Sequence, residues 1–176
     1  MGLFLENGVL TVNISNETME DFRGRIQLSL RKNDLTVLDA LEAPVAVKKL
    51  KSRDVYEYEL PQADPYSSFI AVDLFDGEGK LIMRQQEMLV PCKHFQWQKP
   101  NFQTVCQDVE GGVAIDISAD TFARGVCLDF RDFDCVLSDN FFALTDGKPY
   151  RVVARTEHRA AELAEQLTIR SVYDIR

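Results

Sequence analysis

The chain has 176 residues, 45% hydrophobic and 27% charged, enough apolar material for one large or two small folded domains and too much for a disordered chain. Lys and Arg number 20 against 28 Asp and Glu, and the net charge of -8 repels nucleic-acid phosphates and anionic membrane surfaces alike. A (β/α)₈ barrel takes ~250 residues and does not fit, and no apolar run approaches the ~20 residues of a membrane-spanning helix. Met1 to Asn7 carries Glu6 and no basic cluster, unlike a signal peptide, which sets the expectation of a cytoplasmic protein.

From residue 8 onward the dominant period is two. Leu10, Val12 and Ile14 alternate with polar neighbours, as on a half-buried strand. The polar stretch Ser15 to Asp21 is a loop, and Ile26, Leu28 and Leu30 resume the alternation. Lys32-Asn33-Asp34 is a turn by composition. Leu35 to Leu41 predicts a further strand, Val45 and Val47 another, and Tyr56, Tyr58 and Leu60 a third, ended by Pro61. Ile70, Val72 and Leu74 lead into Asp76-Gly77-Glu78-Gly79, a hairpin signal, with Lys80 to Val90 as the return strand. Seven short strands over residues 8–90, with no helical crossover, predict an antiparallel sandwich.

Val90 to Pro100 breaks the pattern with two prolines and local positive charge. It is expected to connect two domains, 1–91 and 101–176, through residues 92–100. Phe95 and Trp97 are expected to pack at this connection rather than stand free in solvent.

Strands resume after Pro100. Phe102 to Val109 runs into the turn Glu110-Gly111-Gly112, followed by the alternation of Val113, Ile115 and Ile117. Val126, Leu128 and Phe130 alternate next, which turns Cys127 and Asp129 away from the core. Asp139-Asn140 is a turn pair ahead of Phe141-Phe142, and Thr145 to Pro149 forms another turn. Tyr150 to Ala154 and the set Leu167, Ile169 and Ser171 complete the strands. Only Glu157 to Gln166, rich in Ala, Leu and Glu, is helical. At ~2–3 turns it is too short to stand alone, and it is expected to bridge two strands of a second sandwich.

Candidates for chemistry are few. Asp129, Asp132 and Asp134 crowd one strand end, but a glycosidase needs carboxylates ~5–9.5 Å apart across a sugar-sized pocket, and strand-end Asp serves turn geometry as a rule. An EF-hand calcium loop lacks its Gly and closing Glu. Cys92, Cys106, Cys127 and Cys135 show no C-x-x-C spacing, and His94 and His158 lie far apart, so no structural zinc site is expected. Neither a nucleophile elbow nor a phosphate loop is present, and no cofactor is expected. The only Trp, Trp97, sits in the connection, so the aromatic set is expected to be mostly core.

Three strings carry a family resemblance that covers the chain from about residue 8 to 176. Leu89-Val90-Pro91-Cys92-Lys93-His94-Phe95, Ser138-Asp139-Asn140-Phe141-Phe142-Ala143-Leu144 and Leu10-Thr11-Val12-Asn13-Ile14-Ser15-Asn16-Glu17-Thr18 together resemble the C-terminal part of family 2 glycoside hydrolases of the β-mannosidase kind. The second string resembles the S-D-N-[FY]-F-D-L signature of their terminal domain, with Ala143 in place of the acidic residue. Cys92 stands where a second proline is frequent, and Thr145-Asp146-Gly147 replaces a P-G turn. The resemblance implies two tandem immunoglobulin-like β-sandwiches that lie behind a catalytic barrel and pack on it. It also implies a retaining parent enzyme whose acid/base and nucleophile Glu residues both sit in that barrel, so no catalytic residue is assigned here and the chain alone is expected to be inactive. Trp97, Phe95, Asp139, Asn140 and Phe141 are the candidates for contact with oligosaccharide or a neighbouring domain. The rival readings are a carbohydrate-binding module, which needs exposed coplanar aromatics, and an adhesive pair of immunoglobulin-like domains, which more often carries disulfides.

Overall fold

The computed structural model describes residues 1–175 and falls into two compact units, one from Met1 to Gln96 and one from Trp97 onward. The first contains β1 (Gly2–Glu6), β2 (Val9–Asn16), β3 (Phe22–Lys32), β4 (Val37–Val47), β5 (Lys51–Glu59), β6 (Ser68–Asp76) and β7 (Leu81–Met88). They form a three-stranded sheet, β1-β2-β5, and a four-stranded sheet, β4-β3-β6-β7, in which every pairing is antiparallel. Alternation in the sequence becomes register in the sheet. Ile26, Leu28 and Leu30 sit opposite Leu74, Val72 and Ile70, and Leu10 and Val12 sit opposite Tyr58 and Tyr56. All the β2, β3 and β6 members of these pairs are buried in one core.

Two expectations for this unit are corrected. Gly2–Glu6, placed outside the strand count, is an edge strand that pairs Leu3 with Val12 and Leu5 with Leu10. Leu3 and Leu5 pack on the core while Phe4 faces outward, so three consecutive apolar residues hid the period of two. Leu35 to Leu41 and Val45 to Val47 are not two strands. Leu35 is in a tight turn at φ +68°, and β4 runs unbroken through Pro44, which sits opposite Arg25. An edge strand tolerates this, because its second row of backbone groups faces no partner and a missing N–H there costs no ladder bond. The hairpin after β6 needs only one glycine with positive φ, Gly79 at +85°, while Asp76 accepts the Glu78 and Lys80 N–H groups through Oδ1.

The second unit contains β8 (Phe102–Val109), β9 (Gly112–Ala119), β10 (Ala123–Phe130), β11 (Val136–Leu137), β12 (Phe142–Leu144), β13 (Tyr150–Arg155), α1 (Ala160–Gln166) and β14 (Leu167–Arg170). Its sheets are β11-β13-β9-β8 and β12-β10-β14. Gly112 is required where it stands, because a Cβ there would meet the Ala154 carbonyl oxygen at 2.0 Å. The helix joins β13 of one sheet to β14 of the other. It drives Leu163, fully buried, into the core, and the Asp108 carboxylate of β8 accepts the Ala160 N–H at 2.9 Å. That bond satisfies one of the amides a helix start leaves unpaired. β11 and β12 escape the sequence pattern because at two and three residues they show no period. Cys127 and Asp129 do turn away from the core, between buried Val126 and Leu128.

Candidate functional site

Phe95 and Trp97 are both buried, at 5% and 8% exposure. Phe95 follows a single 3₁₀ turn, Cys92–His94, and the next residue is tied down twice: Gln96 N–H donates to the Tyr66 carbonyl at 2.7 Å and its own carbonyl accepts from Asn33 Nδ2 at 2.6 Å. The Trp97 indole stacks on Phe122 with centroids 5.4 Å apart and planes 21° from parallel. A pyranose stacks on an aromatic face open to solvent, and this indole does not present one.

Asp139, Asn140 and Phe141 do come together, as a clasp at the mouth of β12. The Asn140 side chain acts as a short piece of strand: Oδ1 accepts the Leu128 N–H at 2.9 Å and Nδ2 donates to the Leu128 carbonyl at 3.1 Å. Asp139 accepts the Tyr150 hydroxyl at 2.6 Å, and the Tyr150 ring stacks on Phe142 at 4.6 Å. Phe141 is squeezed between these anchors. Its φ is +66°, its N–H donates to Asn140 Oδ1 at 3.1 Å, and its ring stands 71% exposed. A bulky residue in the left-handed region is strained, so the clasp holds Phe141 outward against its own backbone preference.

The first unit has a parallel device in the other quoted string. Asn16, buried, donates to the carbonyls of Glu20 at 2.8 Å and Val47 at 3.2 Å, and its Oδ1 accepts the Thr18 N–H and hydroxyl at 3.1 and 2.8 Å. Tyr58 donates its hydroxyl to Asp39 at 2.7 Å. Burial first, and then the aspartate, push the Tyr58 pKa well above the ordinary tyrosine value, so it remains a donor at any physiological pH.

The acidic trio near β10 is dispersed in role. Asp129 pairs with Arg170 at 2.9 Å and accepts the Phe130 N–H, while Asp132 lies beside α1. Among the described residues no group of three His, Cys, Asp or Glu side chains is placed to hold a metal. The four thiols are unbridged, and burial pushes the Cys106 and Cys135 pKa values up, the opposite of an activated nucleophile.

One constellation was not singled out in the sequence. Phe130, Phe133 and His158 stack in series, at 5.0 and 4.2 Å between centroids, and the exposed His158 ring meets Glu162 at 3.1 Å. The His–Glu spacing of four at the start of a short helix was the legible signal.

Comparison with known proteins fits this geometry. Residues 8–94 match a mannosidase Ig/CBM-like domain and residues 97–175 match an Ig-fold domain of the mannosidase type. A β-D-mannosidase from Dictyoglomus thermophilum superposes on 97% of the chain with a TM-score of 0.86 at 20% identity. An exo-chitosanase from Amycolatopsis orientalis superposes on 93% with a TM-score of 0.60 at 14% identity. The chain spans 21% and 24% of those two proteins' lengths, respectively. A search of curated proteins returns no match.

Proposed function

Because the chain belongs, over residues 8–94 and 97–175, to the mannosidase immunoglobulin-type domain families, we propose that it acts as the non-catalytic accessory region of a β-mannosidase-like glycoside hydrolase, packing on a catalytic barrel and helping to position oligosaccharide. One observation carries the reading: two mannosidase-type domain families match in order along the chain, and 97% of it aligns with one fifth of a β-D-mannosidase. The candidate residues are engaged structurally, Asn140 with Leu128 of β10 and Asp139 with Tyr150 of β13, and the raised thiols are not poised for attack. A retaining glycosidase needs two carboxyl groups ~5–5.5 Å apart around a sugar. Asp129 is committed to an arginine, Asp108 to a helix start and Asp139 to a tyrosine hydroxyl.

Two experiments test this. The purified chain is expected to release no chromophore from p-nitrophenyl β-D-mannoside, and turnover that co-purifies with the chain and tracks its mutations would end the accessory reading. In a full-length enzyme that carries this segment, its deletion is expected to lower the melting temperature of the barrel. An unchanged melting temperature with full turnover would remove the proposed packing role.

A further inference from the structure

We propose that the α1 end of the second sandwich is a saccharide-binding groove centred on His158, suited to neutral pyranosides. The choice of ligand class rests on the accessory reading above; the location rests on the geometry alone. The His158 ring is held in one orientation from two sides. Its face stacks on Phe133 at 4.2 Å and 23°, and Phe133 in turn stacks on Phe130, which packs on the core. Its Nδ1 meets Glu162 Oε2 at 3.1 Å, and its backbone N–H donates to Thr156 Oγ1 at 3.2 Å. Glu162 is fixed as well, since the same oxygen accepts the Arg159 N–H at 3.1 Å. Yet 47% of the His158 side chain is open to solvent. A planar ring that is both rigid and exposed is a stacking platform that a ligand need not order on arrival.

The platform is the shared wall of two depressions. One, of about 410 Å³, is lined by Asp132, Phe133, Glu162, Glu165 and Gln166 besides His158. The other, of about 480 Å³, includes Asp108, Thr156 and Arg159. Both lie in the range of small-molecule sites, roughly 300–1,000 Å³. Their chemistry selects the ligand. The first offers carboxylate and amide oxygens, which accept hydrogen bonds from vicinal hydroxyls, and it contains no Lys or Arg. It therefore repels phosphates, sulfates and uronates. The second depression adds a donor and an acceptor set side by side, Arg159 and Asp108 at 3.6 Å. Ring stacking, paired acceptors and a mixed donor set together describe a polyol ring.

Titration of mannotetraose into the ¹⁵N-labelled chain, followed by amide NMR to about 10 mM sugar, tests the groove. Saturable shifts are expected at Asp132, His158 and Glu162. His158→Ala is expected to weaken binding about fivefold or more, the loss of one stacked ring, and Glu162→Gln by about twofold. A melting scan of each variant separates lost binding from lost fold. Oligomannuronate, the same ring bearing carboxylates, is expected not to bind. Absence of saturation, binding that His158→Ala leaves unchanged, or equal affinity for mannuronate would each overturn the proposal. None of these results bears on hydrolysis or on packing against a barrel.

Discussion

The two sandwiches share a plan and differ in what holds their sheets together. Each joins a three-stranded sheet to a four-stranded one, each buries an asparagine amide or sets one against backbone, and each ties a tyrosine hydroxyl to an aspartate. The first unit closes with strands alone, two of them 11 residues long. The second has shorter strands and recruits a helix of seven residues to complete its core. A sandwich of ~80 residues buries a smaller share of its surface than a larger one, so each buried side chain carries more of its stability. The difference teaches that a helix too short to stand alone can be an obligatory core element when a single leucine on it is fully buried.

Leu163→Ala tests that lesson with the largest expected effect. Removing a fully buried leucine should cost about 3 kcal/mol, as much as Ile70→Ala in the all-strand core of the first unit. Denaturant unfolding followed by Trp97, the only tryptophan and a member of the second unit, reads the Leu163 change directly. A cost below about 1 kcal/mol would mean that the helix decorates the sandwich and does not close it.

The two asparagine clasps come next. Asn16→Ala removes four hydrogen bonds, the one to the Val47 carbonyl buried and the other three part-buried, and should cost about 2–3 kcal/mol. Asn140→Ala frees the Leu128 and Phe141 N–H groups and the Leu128 carbonyl at a less buried site, and should cost about 1–2 kcal/mol. Chemical denaturation of both variants should preserve that order. A reversed order would place more of the sheet-to-loop connection in the second clasp than its bonds account for.

These clasps also mark how far the sequence could be read. Long alternating runs such as Ile26-Leu28-Leu30 and Val113-Ile115-Ile117 announced their strands, because their large apolar residues all fall on one buried face. Gly2–Glu6 was hidden because outward Phe4 breaks the alternation, and Pro44 split β4 because an edge position is not visible in a string of letters. At the candidate site the S-D-N-F-F string was legible as a motif, but its mechanics were not. Nothing local says that Asn140 reaches Leu128, twelve residues back, or that the two adjacent phenylalanines part, Phe142 inward and Phe141 outward. Ring chemistry points to Trp97 and Phe95, which are buried, whereas His158 is half-exposed and its stacking partner Phe133 is 25 residues away.

Phe141 separates the clasps in a second way. Asn16 imposes no left-handed residue on its loop, whereas Asn140 is followed by Phe141 at φ +66°. Phe141→Gly removes a strain of about 1–2 kcal/mol and adds chain entropy to the unfolded state, for a net stabilisation of about 0.5–1 kcal/mol. Phe141→Ala keeps the strain and should be near neutral. If Phe141→Ala stabilises as much as Phe141→Gly, exposure of the ring and not the backbone was the liability.

The smallest effect expected is electrostatic, and it sits on the second unit's larger sheet. Arg151 of β13 grips Asp116 of β9 through two bonds of 2.8 and 2.6 Å, and this guanidinium holds the Asp116 carboxyl below its ordinary 3.8. The folded-state pKa is thus depressed relative to the unfolded chain. The pair's contribution is present in full above about pH 4, and it is lost as pH falls through the depressed value and the carboxylate protonates. Arg151 is solvent-exposed, so water and salt screen the pair and its worth lies near the limit of measurement. Asp116→Asn should therefore show a slight stability deficit near pH 7 that fades in added salt and shrinks as pH falls below about 4. A deficit that survives at low pH would assign the effect to amide-for-carboxylate packing on β9, and the ion pair would then contribute nothing to holding β13 in register.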